Sequence, residues 1–312
     1  MYFSFRFYPM LKLTRVSCLI LLLPTLFAIS SCSRFDPPVV VPAYGHIDSI
    51  HFSVPADSAN KQGSASALIP YAWVYLDNNP VGTFELPCTF PMIASNGMHN
   101  ISIYPGIIPA GVNSPAGINP FYQFYSFNVN IQQGSTYKFK PTSSYYNWVK
   151  FPYMESFDES PINGPPRYII NYHGGGNLSA ASDTTMMVIN KKGLAYHVNS
   201  GMVIVNATHN YYIGMTWPWD SLPTNGSTPV YMELNYRATA PFAIGLFESD
   251  TATQIQPAVI VYPSSTWTKM YVVFQPTLAV YSIQAYNIYF SMSYVAGDGS
   301  DTLLLDNIKI LD

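Results

Sequence analysis

The sequence predicts an all-β protein: a small N-terminal β-sandwich followed by a C-terminal jelly-roll β-sandwich. Three observations carry this. Strand-favouring side chains abound, with 25 Tyr and 18 Phe among 312 residues and many Val, Ile and Thr beside them. Short alternating runs recur, separated by turn signals such as Asp77-Asn78-Asn79-Pro80 and Asn96-Gly97. No run of ten or more residues in the N-terminal half holds a helical period.

The chain opens on Arg6, Lys12 and Arg15, with no acidic residue before Asp36, and continues into the apolar run Leu19–Ile29. That run falls short of the roughly 20 apolar residues a bilayer requires, so it reads as a signal peptide. Met10 serves as well as Met1 for its start. Ile29-Ser30-Ser31-Cys32 follows, an aliphatic residue and two small ones before a cysteine. This resembles the lipobox of a bacterial lipoprotein precursor. The resemblance implies that residues 1–31 are cleaved and that Cys32 carries palmitate-type lipid. Several acyl chains would anchor the protein stably to a membrane. Ser33 in place of Asp implies the outer membrane of a Gram-negative envelope, with its periplasmic face and the cell surface both open.

Without the first 31 residues, 281 remain, enough for two ordinary domains. The formal charge is −3 and only 10% of residues are charged, against about 25% in a typical soluble domain. No basic patch exists for nucleic acid, which is excluded as a partner. Cys18 lies in the signal and Cys32 under lipid. Cys88 is then a lone thiol in an apolar stretch, expected to be buried and inert.

Residues 32–45 read as a Pro-rich linker, with Pro37, Pro38 and Pro42. Residues 46–141 form the first predicted domain. Its strands include Ile47–Val54, Tyr71–Leu76, Val81–Leu86, Met98–Tyr104, Phe121–Ile131 and Thr136–Lys140. The pieces Val74-Tyr75-Leu76-Asp77, Val81-Gly82-Thr83 and Gly97-Met98-His99-Asn100-Ile101 resemble PEGA-type envelope modules. Pro105–Pro120 reads as one long loop, of a length that often marks binding.

Residues 142–312 form the second predicted domain, nine or ten strands without helices. They include Tyr211–Thr216, Val230–Arg237, Phe242–Glu248, Thr266–Phe274, Ile288–Val295 and Thr302–Leu311. Trp267–Val272, Leu303–Ile310 and Phe157-Asp158-Glu159 resemble strands of galactose-binding-like carbohydrate-binding jelly rolls. That resemblance implies a structural calcium between Asp158 or Glu159 and Asp306, since a hard cation takes carboxylate oxygens. The alternative is that Asp306-Asn307 bonds backbone amides at a bend.

Catalytic patterns are few. Gly174-Gly175-Gly176 lacks the Lys-Ser/Thr of a phosphate loop. The six histidines show no metal-ligand spacing. A glycosidase needs two facing carboxylates, and Glu233 with Glu248 is the pair in neighbouring predicted strands. Trp217-Pro218-Trp219-Asp220, flanked by Tyr211 and Tyr212, is the loop that best fits a sugar-stacking platform. A Tyr-rich strand face is the other place for stacking. The expectation is a non-enzymatic binding module for glycan, acting through the jelly roll. The alternative is a structural or assembly subunit docking on a larger envelope protein.

Overall fold

The computed structural model describes residues 41–312 except 57, 113, 159–168, 172–187, 191–198, 217, 219–221, 250–252, 282–284 and 298. Cys32 and the export segment lie outside the described residues. Among those described, no helix is long and apolar enough to cross a membrane.

The N-terminal strands are β1 (Ala43–Ile47), β2 (His51–Phe52), β3 (Tyr71–Leu76), β4 (Asn79–Glu85), β5 (Cys88–Met92) and β6 (Gly97–Ile107). They continue with β7 (Pro109–Ala110), β8 (Gly117–Ile118), β9 (Tyr125–Ile131), β10 (Thr136–Phe139) and β11 (Thr142–Ser143). One sheet runs β4-β3-β6-β8, with β9 also paired to β6, and a second runs β10-β1-β5. Period-2 alternation sends Val74, Ile101 and Ile103 of the first sheet inward against Phe90, Met92 and Phe139 of the second. The β3–β4 hairpin turns through Asp77 and Asn78, both at positive φ, as a two-residue primed turn requires. Asp77 then ties the hairpin to β6. Its Oδ1 accepts the Asn100 N–H at 2.9 Å, and its Oδ2 meets His99 Nδ1 at 2.6 Å. That contact lowers the Asp77 pKa and raises that of His99.

The C-terminal sandwich begins with β12 (Tyr153–Glu155), β13 (Ile169–Asn171), β14 (Val188–Asn190), β15 (Ser200–Asn206) and β16 (Tyr211–Thr216). It goes on through β17 (Tyr231–Ala238), β18 (Phe242–Glu248), β19 (Thr253–Val261), β20 (Ser264–Val273), β21 (Tyr286–Ser293) and β22 (Ser300–Leu311). A seven-stranded sheet, β14-β15-β22-β17-β20-β7 with β12 also on β22, packs on the five-stranded β13-β16-β21-β18-β19. Leu234, Val272, Leu305 and Ile308 meet Ile244, Ile288 and Phe290 between them. The chain is thus the all-β protein expected, two sandwiches with a jelly roll second.

Two details differ from expectation. Among the described residues two short helices occur, α1 (Ala59–Gln62) and α2 (Gln275–Val280). Each is too short to display a helical period, though Pro276 in the first turn of α2 is an ordinary helix-start signal. The Pro105–Pro120 stretch is also partly sheet. It holds the end of β6 and then β7, which pairs in parallel with β20, Pro109 opposite Tyr271. Proline is tolerated on such an edge strand, and two-residue strands carry no readable alternation.

Candidate functional site

Two sheet faces concentrate aromatic and polar side chains. The first is the outer face of the N-terminal sheet. On β3, Ala72, Val74 and Leu76 are buried in the core, so Tyr71, Trp73 and Tyr75 project to the other side. The β3–β6 register sets Tyr71 opposite Gly106, Trp73 opposite Tyr104 and Tyr75 opposite Ser102. Register with β9 adds Ser126 beside Ser102 and Asn128 beside Asn100.

Gly106 explains how Trp73 lies. A Cβ there would sit 2.8 Å from Tyr71 Cβ, 3.1 Å from Trp73 Cδ1 and 3.2 Å from Trp73 Nε1. The pyrrole edge of the indole is therefore folded down onto the backbone of the neighbouring strand. Its Nε1 is buried without a hydrogen-bond partner. Beside it stands a row of rings. Tyr75 and Tyr104 meet edge-on at 5.3 Å, and Tyr104 stacks on Phe124 at 4.6 Å. Partial burial, then the neighbouring phenols of Tyr146 and Tyr75, push the Tyr104 pKa up. Tyr146 stacks on Trp148 at 5.8 Å. Phe124 is 40% exposed and Trp148 50% exposed.

The polar part of this face is a ladder of amides and hydroxyls. Asn100 Nδ2 donates to Asn128 Oδ1 at 3.1 Å. Ser102 and Ser126 hydroxyls both donate to Asn100 Oδ1 at 3.2 Å. Rings next to amides and hydroxyls, without charge, suit a ligand that has apolar C–H faces and neutral hydroxyl edges.

The second face is the outer side of the seven-stranded sheet, and it is covered. Ser64 to Leu68 lies across β22, β17 and β20. The Ser64 hydroxyl donates to Asn307 Oδ1, and Ser66 Oγ donates to Asn235 Oδ1 at 2.8 Å. The Leu68 N–H donates to the Tyr271 hydroxyl at 2.9 Å. Glu233, wholly buried, accepts Tyr122 Oη at 2.9 Å and Tyr145 Oη at 2.8 Å. It also pairs with Lys269 at 3.2 Å. Lys309 Nζ donates to the Ser64 carbonyl at 2.6 Å and to Tyr145 Oη at 3.2 Å. Burial, with Lys269 nearby, pushes Lys309 down to about 7. Burial lowers Lys269 as well, while Tyr122 and Tyr145 rise because an anionic phenolate there would be desolvated and would face Glu233. Phe52, Phe121 and Leu311 pack around this cluster.

The residues singled out from sequence fall in several places. Trp217 and Trp219 lie outside the described residues. Tyr211 and Tyr212 alternate on β16 and so point to opposite faces. Tyr211 is 40% exposed, whereas Tyr212 is wholly buried between the two sheets of the jelly roll, where no ligand reaches it. Glu233 is on β17 of the seven-stranded sheet and Glu248 on β18 of the five-stranded one, so they do not face each other across a cleft. Cys88 is half-buried and its thiol pKa is raised by that burial, as an inert thiol's would be.

The carboxylates named for calcium are engaged otherwise. Asp158 Oδ1 accepts the Asn199 N–H at 3.0 Å. Asp306 is buried on β22, its Oδ1 accepts the Asn307 N–H at 2.6 Å, and the Lys269 ammonium acts on it electrostatically. Asn307 itself is at positive φ, in a register shift between β17 and β22. This is the bend that a β-bulge makes, and it lets Leu305 and Ile308 both face the core. Glu159 is outside the described residues. Among those described, no group of three His, Cys, Asp or Glu side chains gathers to hold a metal.

Sequence reasoning placed Trp73 and Tyr75 on a strand but did not single out their face. The signal was there. Tyr71, Trp73 and Tyr75 alternate with Ala72, Val74 and Leu76, so both faces of β3 are apolar where a solvated face is ordinarily polar. A row of partly exposed aromatics is the informative exception.

No protein-family profile matches the chain, and no curated protein matches it. Among solved structures, it is similar to a family 30 carbohydrate-binding module of a cellulosomal cellulase of Clostridium thermocellum. Identity is 15% over 50% of this chain and 95% of that one, with a TM-score of 0.34. The C-terminal family 22 carbohydrate-binding module of Clostridium thermocellum Xyn10B matches at 13% identity over 51% and 92%, TM-score 0.32. A Stig cyclase from Fischerella sp. TAU matches at 14% over 50% and 93%, TM-score 0.37. Likeness at this level carries no argument about function.

Proposed function

We propose that this chain is a non-catalytic glycan-binding lipoprotein of the outer membrane. One observation carries the binding half of this reading. A sheet face that the described residues leave partly open holds an indole folded over Gly106, a row of rings reaching Phe124, and an Asn/Ser ladder. Such a face holds sugar by C–H contact on rings and by hydrogen bonds to hydroxyls, without charge. Binding without bond chemistry fits as well, because Glu233 is sealed beneath Tyr122 and Tyr145. The membrane half rests on the Ile29–Cys32 motif, with Cys32 as the lipid-bearing residue. The Trp217/Trp219 loop of the jelly roll, which the sequence offers as a stacking platform, is the second place to look.

The test is a polysaccharide pull-down and glycan array with residues 33–312, wild type against Trp73→Ala/Tyr104→Ala. Retention by the wild type and its loss in the double variant is the expected result. Binding that survives moves the site to the Trp217/Trp219 loop. If nothing is retained on any glycan, the assembly-subunit alternative takes precedence. For the anchor, Cys32→Ala should lose both membrane partitioning and incorporation of labelled fatty acid.

A further inference from the structure

We infer that the glycan site is an extended one, which takes a chain of several uncharged sugar units running from Trp73 to Trp148. This rests on the glycan reading above and goes beyond it in ligand length, ligand charge and the residue that reads the far end.

The rings do not stop at the edge of the N-terminal sheet. Trp73 and Tyr104 are register partners, and Tyr104 stacks on Phe124. The phenol of Tyr146 is close enough to act on Tyr104, and Tyr146 stacks on Trp148. A single sugar ring covers about one aromatic side chain, so a row of five rings serves a chain and leaves most of itself unused by a monosaccharide.

Trp148 is held in place from both sides of the junction. Its ring lies 5.9 Å from Phe121, which meets Tyr231 of β17 edge-on at 5.3 Å. Lys150, two residues on, exchanges backbone hydrogen bonds with Asp312 at the end of β22. The far end of the row is thus fixed by the jelly roll and the near end by the N-terminal sheet. A rigid site of this kind loses little entropy when a chain settles on it.

The charge pattern sets the ligand class. Trp73, Tyr75, Tyr104, Phe124, Asn100 and Asn128 supply no cation for an acidic sugar. At the margins, Glu85 is opposite Tyr71, Asp77 is taken by His99, and the Lys150 ammonium lies 3.9 Å from Asp312 Oδ1. Uronic or sulfated chains find repulsion at the Glu85 margin and no cation among the rings and amides named for the face, with the exposed Lys150 ammonium beside its far end only.

The experiment is titration calorimetry on the full chain in detergent, with cello-, manno- and laminari-oligosaccharide ladders from dimer to hexamer. Oligogalacturonates serve as the acidic arm. Wild-type affinity should climb with length, and Trp148→Ala should lose about tenfold on hexamers while leaving dimers unchanged. Trp73→Ala should lose affinity at every length, and Trp148→Tyr should restore most of the hexamer affinity. Equal affinity for dimer and hexamer, or a Trp148→Ala loss that is the same at all lengths, overturns the extended site while leaving glycan binding intact. Tighter binding of oligogalacturonates than of neutral chains overturns the ligand class. No binding of any ladder by the wild type overturns this inference together with the glycan reading.

Discussion

Two faces of this protein are built from the same materials, and one is left partly open while the other is sealed. The outer face of the N-terminal sheet and the outer face of the seven-stranded sheet both present tyrosines beside amides and hydroxyls. On the first, Trp73, Tyr75, Tyr104 and Phe124 are left partly open. On the second, Tyr122, Tyr145 and Tyr271 are shut in with Glu233, Lys269 and Lys309. The difference is charge and cover. A face carrying buried ions is costly unless covering groups bond to it, and Ser64, Ser66, Leu68, Tyr122 and Tyr145 supply such bonds to Asn307, Asn235, Tyr271 and Glu233. A face of uncharged rings and a self-bonded Asn/Ser ladder tolerates water and can wait for a ligand. The lesson is that tyrosine content alone does not distinguish a fastener from a platform. The ions underneath decide.

The largest effect should come from attacking the fastener at its centre. Glu233→Gln keeps the volume but removes the carboxylate that acts most strongly on Lys269, leaving the buried ammonium with Asp306 alone. Breaking a buried pair in this way costs about 3–5 kcal/mol, so urea denaturation should show a large fall in midpoint. A change under about 1 kcal/mol would mean that packing by Phe52, Phe121 and Leu311 holds the junction and that the ions are incidental. The Trp73→Ala/Tyr104→Ala variant should move the same midpoint much less, because its side chains are only partly buried.

How far the sequence alone reaches follows from the same contrast. The strands of the jelly roll were legible, since Tyr211–Thr216 and Phe242–Glu248 alternate or run apolar between clear turns and match β16 and β18. The hairpin at Asp77-Asn78 was legible from local chemistry. The fastener was not, because Ser64, Tyr122, Glu233 and Lys309 are far apart in the chain and no local period joins them. The platform was half legible. The parity of Tyr71, Trp73 and Tyr75 was on display, but whether their side of the sheet would be covered depends on where other segments pack. Tyr212 shows the converse, a tyrosine next to a loop of interest that strand alternation turns into the core.

A smaller effect sharpens the comparison by pH. Lys309 is pushed down to about 7 by burial, while in the unfolded chain it titrates near its ordinary 10.5. Between these values the unfolded state binds the extra proton, so stability should rise with pH, by at most about 1.4 kcal/mol per unit. Below pH 7 both states are protonated at this site and the burial penalty is constant. The groups facing Lys309 are Ser64, Tyr145, Glu233 and Lys269. Lys269 is lowered too and adds to the same trend, while the raised phenols of Tyr122 and Tyr145 oppose it only above their ordinary pKa of 10. Melting temperature should therefore climb from pH 7 to about 9.5 in the wild type. Lys309→Met removes one of the two lowered lysines behind that climb and should flatten it in part. Its stability at pH 6 should equal or exceed that of the wild type, as expected when a buried charge is replaced by an apolar chain of similar length. An unchanged slope in the variant would mean that Lys309 keeps its proton in the folded protein, with the Ser64 carbonyl and Tyr145 hydroxyl compensating its burial in full.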